Sequence, residues 1–328
     1  MPVSVAMFDK SYEHIRARLE ALKLNLNVIT FDQDGQFLDN GVAVSPEETD
    51  LDYVWLSSHI HSAGSQNMFD QVLRCKSIGV LQTFNAGLDN NFYKQLSDKG
   101  TRICNSSAQA VAISEYVMAQ VLSVVHPIEV QRQQQAEKKW QRTPFPELSQ
   151  QRWLIVGYGP IGQAIAERLK PFGTRVSNIR RTPAASKYAD KVGTMADLDV
   201  YLPDADVIVL ACPLNNHTRG FAGNDFFASV KQGAILVNIA RGPLIDDQAL
   251  VTALDQGRLS TAILDVFAEE PLPTENALWA HPKLRLTPHT SFSGSGVQIR
   301  WDQLFLDNIV RFVEGNDLLF EVNPDDIT

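Results

Sequence analysis

An arginine, a histidine and a short run of carboxylates in the C-terminal half are the residues whose types suit chemistry on a small anion. Arg241 can clamp a carboxylate through two parallel N–H···O bonds. His289 can exchange a proton with an oxygen that gains or loses negative charge. A histidine serving as an acid gains from a neighbouring carboxylate, which stabilises the imidazolium. Glu269 and Glu270, in Ala268-Glu269-Glu270-Pro271-Leu272, are the candidates for that partner. Singly, Arg241 reads equally as a helix-capping or surface arginine, His289 as a structural histidine and Glu270 as a turn carboxylate. Their recurrence after successive predicted strands favours one shared site.

A second constellation lies upstream. Gly157-Tyr158-Gly159-Pro160-Ile161-Gly162 matches G-x-G-x-x-G between a predicted strand at 153–156 and a predicted helix at 161–169. In that context the pattern marks a dinucleotide site, with glycines for a tight turn and a pyrophosphate on the helix N-terminus. Pro160 removes one backbone donor but pre-sets φ for the helix start. About 20 residues further on, an NAD site shows an acid for the ribose 2′-hydroxyl. This chain instead has Asn178-Ile179-Arg180-Arg181-Thr182. Two guanidiniums there suit a 2′-phosphate, so NADP is favoured, with NAD as the alternative. The blander reading is a solvated basic turn.

What positions these residues is an alternation of apolar runs and helical patterns. Besides 153–156, the runs 175–179, 207–210, 234–238, 261–264 and 284–286 read as strands, with a further helix at 246–255. Such alternation predicts a mostly parallel sheet covered on both faces, doubly wound by right-handed crossovers. Ligands bind beyond the carboxyl ends of such strands. Standing there are Gly157, Arg180, Cys212-Pro213, Ile239-Ala240-Arg241, Asp265 and His289. That set suits an anionic carbonyl substrate beside a nicotinamide. The first hundred residues hold a weaker series, with predicted strands at 3–8, 28–30, 53–57 and 80–83 and a helix at 13–22. Trp55, His59 and His61 near its third strand read equally as cleft, surface or packing residues. A helical pattern at 301–313 has no packing partner that periodicity alone reveals.

A chain of 328 residues is long enough for about two domains. Its 44% hydrophobic and 20% charged content excludes a disordered or low-complexity protein. The net charge of -9 argues against sequence-independent nucleic-acid binding, which needs surplus cations. Cys75, Cys104 and Cys212 are odd in number and far apart, which fits neither a disulfide framework nor a metal knuckle. No His/Cys cluster has zinc-ligand spacing, so no metal is expected. The free thiols point to a reducing compartment. The start lacks a basic segment followed by a long apolar one. The most apolar stretch, 111–125, carries Glu115 and Gln120 and is too short for a membrane span. A soluble, cytoplasmic protein without membrane contact is the expectation.

Three segments carry a family resemblance. Leu236-Val237-Asn238-Ile239-Ala240-Arg241-Gly242-Pro243-Leu244-Ile245-Asp246, Leu264-Asp265-Val266-Phe267-Ala268-Glu269-Glu270-Pro271-Leu272-Pro273 and Leu286-Thr287-Pro288-His289-Thr290-Ser291 resemble signatures of the D-isomer-specific 2-hydroxyacid dehydrogenases, in particular the glyoxylate/hydroxypyruvate reductases. Asn105 and the stretch 112–115 are similar to the family's first residues of the cofactor domain. The resemblance implies two Rossmann-like/flavodoxin-like α/β domains with doubly wound parallel sheets and an interdomain active-site cleft. The substrate domain would comprise 1–104 plus 296–328 and the dinucleotide-binding Rossmann domain 105–295, with hinge closure expelling water.

By position, the resemblance assigns Arg241 to the substrate carboxylate, His289 to general acid/base work and Glu270 to its support. Asp265 would hold the nicotinamide carboxamide, with Ile239 and Ala240 also against the cofactor. Cys212 and Pro213 would line the adenine pocket with Thr218 nearby. In Asn85-Ala86-Gly87-Leu88-Asp89, the backbone N–H groups of Ala86 and Gly87 would bind the substrate carboxylate. A long helix at about 108–132 would form much of an isologous dimer interface. The activity implied is NADPH-preferring reduction of a small 2-oxo acid, such as glyoxylate or hydroxypyruvate, to the 2-hydroxy acid. A phosphoglycerate-type dehydrogenase is the rival and needs a cationic pocket that the residues around Asn85 do not supply. Formate oxidation is disfavoured, because those relatives lack an acid at the position of Glu270. A non-catalytic dinucleotide-sensing interaction protein, like the related corepressors, is the alternative from another class.

Overall fold

Short apolar runs separated by helices wind the first hundred residues into one sheet. The computed structural model describes residues 1–63 and 65–327, with the backbone alone for 61–63, 65 and 66. The side chain of His61 therefore lies outside the described residues. Contacts gather the chain into two units, Met1–Gln109 with Ser295–Thr328, and Ala110–Gly294.

In the first unit the strands are β1 (Val3–Phe8), β2 (Leu26–Phe31), β3 (Phe37–Asp39), β4 (Val42–Val44), β5 (Asp50–Leu56), β6 (Ser77–Thr83) and β7 (Arg102–Cys104). They form a seven-stranded sheet in the order β4-β3-β2-β1-β5-β6-β7. β2, β1, β5, β6 and β7 pair in parallel. β3 and β4 pair antiparallel, so this sheet is parallel through β2, β1, β5, β6 and β7, as expected, and carries a hairpin at one edge. The cause is local. Asn40 and Gly41 take φ values of 49° and 81°, the left-handed pair that a two-residue hairpin turn requires.

Both faces of this sheet are covered. Ile15, Phe305 and Ile309 from the helices Asp9–Ala21 and Val297–Glu314 pack with Val5, Met7, Tyr53 and Trp55 on one face. Met68, Phe69, Phe92 and Leu96 from Ser65–Arg74 and Asn91–Asp98 pack with Ala6, Phe8, Val54 and Leu56 on the other. Alternate residues of β1 and β5 thus go to opposite layers, as a strand's period of two dictates. Trp55 stacks on Phe305, ring centroids 4.2 Å apart and planes 10° apart, and is a core residue. The C-terminal tail stays with this unit, where the Val322 N–H donates to the Ile103 carbonyl over 2.8 Å.

In the second unit β8 (Arg152–Val156), β9 (Arg175–Ile179), β10 (Lys191–Gly193), β11 (Val207–Leu210), β12 (Ala234–Asn238), β13 (Leu259–Leu264) and β14 (Leu284–Leu286) form another seven-stranded sheet. Its order is β10-β9-β8-β11-β12-β13-β14, and every pair is parallel. All residues of β11 and β12 are buried, as strands covered on both faces must be. The doubly wound α/β expectation holds here.

The register aligns the strand ends. Gly193 pairs with Ile179, Ile179 with Val156, Val156 with Leu210, Leu210 with Asn238, Asn238 with Leu264 and Leu264 with Leu286. Each turn at the carboxyl edge therefore starts from one row of residues.

The single long helix expected at 108–132 is corrected to two. Ala110–Val125 and Ile128–Ala136 meet at a bend of 54°. Pro127 sits at the break, where its missing N–H and its constraint on His126 interrupt the ladder. Among the described residues no single helix is long and apolar enough to cross a membrane.

Candidate active site

The glycine turn follows β8 directly, at the point where the strand order of the second unit reverses. Gly157 has φ 99°, and a Cβ there would stand 2.4 Å from the backbone of Ala211 and Cys212. A Cβ on Gly162 would stand 2.2 Å from the Gly157 carbonyl oxygen. Neither position has room for a side chain. Gly159 differs, since a Cβ there meets nothing within 4 Å, and its open backbone is what a phosphate group approaches. The helix Pro160–Leu169 begins there without a side-chain cap. The N–H groups of Ile161 and Gly162 lie outside the helix's own ladder, aimed along a dipole that favours an anion. The turn fits a dinucleotide pyrophosphate.

At the end of β9, Arg180 is half-buried and Arg181 exposed, with Thr182 following and no Asp or Glu in the sequence 178–182. The Arg180 backbone N–H is fixed on the Gly193 carbonyl at 3.0 Å. Beside it Tyr158 is buried, and its hydroxyl bonds Ser186 at 2.7 Å. Burial raises the Tyr158 phenol above its usual range, so it stays neutral. Beyond β11, burial pushes the Cys212 thiol up to about 12 and makes it an apolar wall. Thr218 is a scaffold for that loop. Its hydroxyl donates to the Pro213 carbonyl at 2.7 Å and accepts the Asn215 N–H at 2.8 Å.

Beyond β12, the fully buried Asn238 shapes the turn that carries Arg241. Its Nδ2 donates to the Arg241 carbonyl (2.9 Å) and its Oδ1 accepts the Ala240 N–H (3.1 Å). Arg241 Nη1 donates to the Ala240 carbonyl at 2.7 Å. Gly242 then presses on the neighbouring turn, where a Cβ would stand 1.9 Å from the Phe267 carbonyl carbon. Only glycine lets the Arg241 turn close on the segment that leads to Glu270.

Beyond β13, Asp265 is fully buried. Its Oδ1 accepts Thr287 Oγ1–H (2.6 Å) and Thr290 N–H (2.8 Å), and its Oδ2 accepts Ser291 N–H (2.9 Å). Its share in the site is to fix the loop after β14. Glu270 divides its oxygens. Oε1 accepts the Phe267 N–H at 2.8 Å, and Oε2 faces His289 Nδ1 at 2.7 Å. The second contact commits Nδ1 to the carboxylate and leaves Nε2 as the ring's other proton-bearing atom. His289 holds φ 48°, in the left-handed region that non-glycine residues rarely enter. Strain of that kind persists only where surrounding bonds over-determine it.

Glu270 and His289 are thus in contact, and Arg241 and Asp265 extend from neighbouring ends of the same row. Asn238, Gly242 and Thr287 were not singled out by sequence reasoning. The first two lie inside the signature around Arg241, and Thr287 inside the one around His289, two residues before the histidine. In the other unit, the turn after β6 holds Ala86 and Gly87 half-buried. Asn105 Nδ2 donates to the Ala86 carbonyl at 2.8 Å, and the Ser106 N–H to the Asn85 carbonyl at 2.9 Å. His59, also in that unit, stands with its ring 5.2 Å from that of His14.

Comparison with known proteins places this arrangement. Residues 118–291 match the family model for the NAD binding domain of D-isomer specific 2-hydroxyacid dehydrogenases. A hydroxypyruvate reductase of Blautia hydrogenotrophica is 30% identical over 262 residues, covering 76% of this chain and 80% of that protein. A D-3-phosphoglycerate dehydrogenase of Bacillus subtilis is 28% identical over 263 residues, which are 79% of this chain but 49% of that enzyme. The chain therefore spans about half the length of that relative. A D-isomer specific 2-hydroxyacid dehydrogenase from Xanthobacter autotrophicus Py2, solved in complex with NADPH and MES, shares the fold over 100% of both chains, with a TM-score of 0.81 at 24% identity. The chain belongs to the D-isomer specific 2-hydroxyacid dehydrogenase family. It is an NAD(P)-dependent oxidoreductase acting on 2-hydroxy acids.

Proposed function

We propose that this member of the family reduces a small 2-oxo acid of the glyoxylate or hydroxypyruvate type with NADPH. The observation that carries the chemistry is the 2.7 Å contact between His289 Nδ1 and Glu270 Oε2 on the sheet edge that also bears Arg241. The bound nicotinamide supplies a hydride to the carbonyl carbon. Arg241 orients the substrate carboxylate through its planar fork. Protonated His289 gives the Nε2 proton to the carbonyl oxygen as that oxygen gains charge. Glu270 accepts the Nδ1–H and stabilises the imidazolium until transfer.

Arg180 and Arg181, in a segment 178–182 that carries no Asp or Glu in its sequence, support the NADPH preference, because a carboxylate at that strand end would accept the 2′-hydroxyl and repel a 2′-phosphate. The likeness to a hydroxypyruvate reductase over most of both chains supports the substrate class. Buried thiols at all three cysteines suit a reducing, cytoplasmic setting. Ile128 and Val130 on the second helix of the bent pair, and Trp140 and Phe145 in the segment after it, are exposed apolar residues, which supports a homodimer. Sedimentation of a single species at monomer mass would remove that last reading.

The test of function is nicotinamide absorbance with glyoxylate, hydroxypyruvate and 3-phosphohydroxypyruvate, each with NADPH and with NADH. Turnover of the first two with a higher kcat/KM for NADPH is the expected result. A preference for the phosphorylated acid would favour the phosphoglycerate reading. Tight cofactor binding without turnover would favour a sensor.

A further inference from the structure

The structure assigns Tyr116 and Thr287 as positioning residues that hold His289 in its working conformation by way of Asp265. The inference rests on His289 being the proton donor proposed above. Its basis is a chain of hydrogen bonds whose direction can be worked out. Thr287 spends its single hydroxyl hydrogen on Asp265 Oδ1, 2.6 Å away, an oxygen that also accepts the Thr290 N–H. Thr287 Oγ1 is then an acceptor towards Tyr116, whose hydroxyl lies 2.5 Å from it and must be the donor. Burial pushes the Tyr116 phenol up to about 12, so it keeps the proton this arrangement needs. The polarity runs one way, from Tyr116 through Thr287 to Asp265.

On its far side Asp265 grips the histidine's neighbours. Its oxygens accept the N–H groups of Thr290 and Ser291, while its own carbonyl accepts the His289 N–H at 2.8 Å. The bonds therefore converge on the one residue of this loop that holds a positive φ without being glycine. A second contact fixes the helix that delivers Tyr116. Ser123 lies seven residues, two turns, after Tyr116 on the same helix face, and its Oγ accepts Arg285 Nη1–H at 2.6 Å. Arg285 lies in β14 and Thr287 directly after it, two residues on, so both face the helix Ala110–Val125. The helix Ala110–Val125 is thus pinned twice to β14 and the loop that follows it.

Thr287→Val, Thr287→Ser and Tyr116→Phe test the assignment, each also built on a His289→Gln background. Turnover of NADPH with the best 2-oxo acid, NADPH binding by fluorescence and a crystal structure of Thr287→Val are the readouts. Misplacing a catalytic group by about 1 Å costs about 100-fold, so Thr287→Val is expected to lower kcat by about 10- to 100-fold with NADPH affinity unchanged. Thr287→Ser keeps the hydroxyl and restores most of the rate. Tyr116→Phe removes one neutral donor and lowers kcat about fivefold. On the His289→Gln background none of the three lowers the rate further, because the residue they act through is gone. In the Thr287→Val crystal, His289 leaves the left-handed region.

A His289→Gln enzyme at wild-type rate would remove the acid role itself. A slow His289→Gln enzyme beside a Thr287→Val enzyme with normal kcat removes the relay alone, as does an equal loss from Thr287→Val on both backgrounds. If Thr287→Val does not fold, Tyr116→Phe decides: a normal kcat, or the same loss on both backgrounds, overturns the assignment.

Discussion

The two sheets share a winding pattern and put it to different uses. Beyond β12, β13 and β14, the second unit holds Arg241, Glu270 and His289 at adjacent strand ends, with the histidine bonded to one carboxylate oxygen through Nδ1. In the first unit, His14 and His59, beyond β1 and β5, are held by their own architecture. Asp302 is fully buried and takes His14 Nε2 at 2.9 Å, Gln298 Nε2 at 2.7 Å and the Arg18 guanidinium. His59 stands against His14, while Ser58 Oγ donates to Gln298 at 2.6 Å. A carboxylate saturated by three donors on two helices fixes a fold. A carboxylate that bonds one nitrogen of a partly exposed imidazole leaves the other nitrogen for chemistry.

The comparison breaks most readily at His289. His289→Gln is expected to lower kcat by about 10²–10⁴-fold, the range for loss of a general acid, measured by NADPH oxidation at saturating 2-oxo acid. Next comes Arg241→Ala. Losing a charge-assisted clamp is expected to lower kcat/KM for the 2-oxo acid about 10- to 150-fold, while the KM for NADPH moves little. Near-normal kcat/KM would show that the carboxylate is bound elsewhere.

Two changes in the first unit sharpen the contrast from the other side. Asp302→Asn is expected to cost about 2 kcal/mol of stability, read from denaturant unfolding. It leaves kcat/KM for the 2-oxo acid nearly unchanged; a large kinetic loss with intact stability would put chemistry where structure has been assigned. The smallest effect concerns pH. Burial, then the neighbouring His14 and Lys10 charges, hold His59 below its ordinary value of 6.5, against an opposing pull from Asp302. The unfolded chain therefore takes up that proton more readily than the folded one. Stability is full above 6.5 and declines as pH falls from there towards the lower folded value. His59→Gln should flatten that decline in urea melts between pH 7 and 5.

Much of this contrast was legible in the sequence, for a physical reason. Strands buried on both faces are rich in apolar residues, so 207–210 and 234–238 announce β11 and β12 with their observed limits, and the less apolar 175–179 and 284–286 also match β9 and β14. β7 and β10 are three-residue strands with an exposed first residue and carry too little apolar density to stand out. The β3–β4 hairpin is written in Asn40-Gly41, a turn signal rather than a strand signal. Arg241, Glu270 and His289 are legible because each closely follows a strand. Their supports are not. Tyr116 and Thr287 meet across 171 positions, and His14 and Asp302 across 288. Nor does a lone glycine reveal that a Cβ at 242 would strike the Phe267 backbone.

The measurement that bears most directly on the account is a co-crystal structure with NADPH and oxamate, an unreactive isostere of a 2-oxo acid. The oxamate carboxylate is expected within hydrogen-bond reach of the Arg241 guanidinium, its carbonyl oxygen on His289 Nε2, and the cofactor pyrophosphate on the turn from Gly157 to Gly162. Oxamate bound away from both side chains, with the imidazole turned elsewhere, contradicts this expectation.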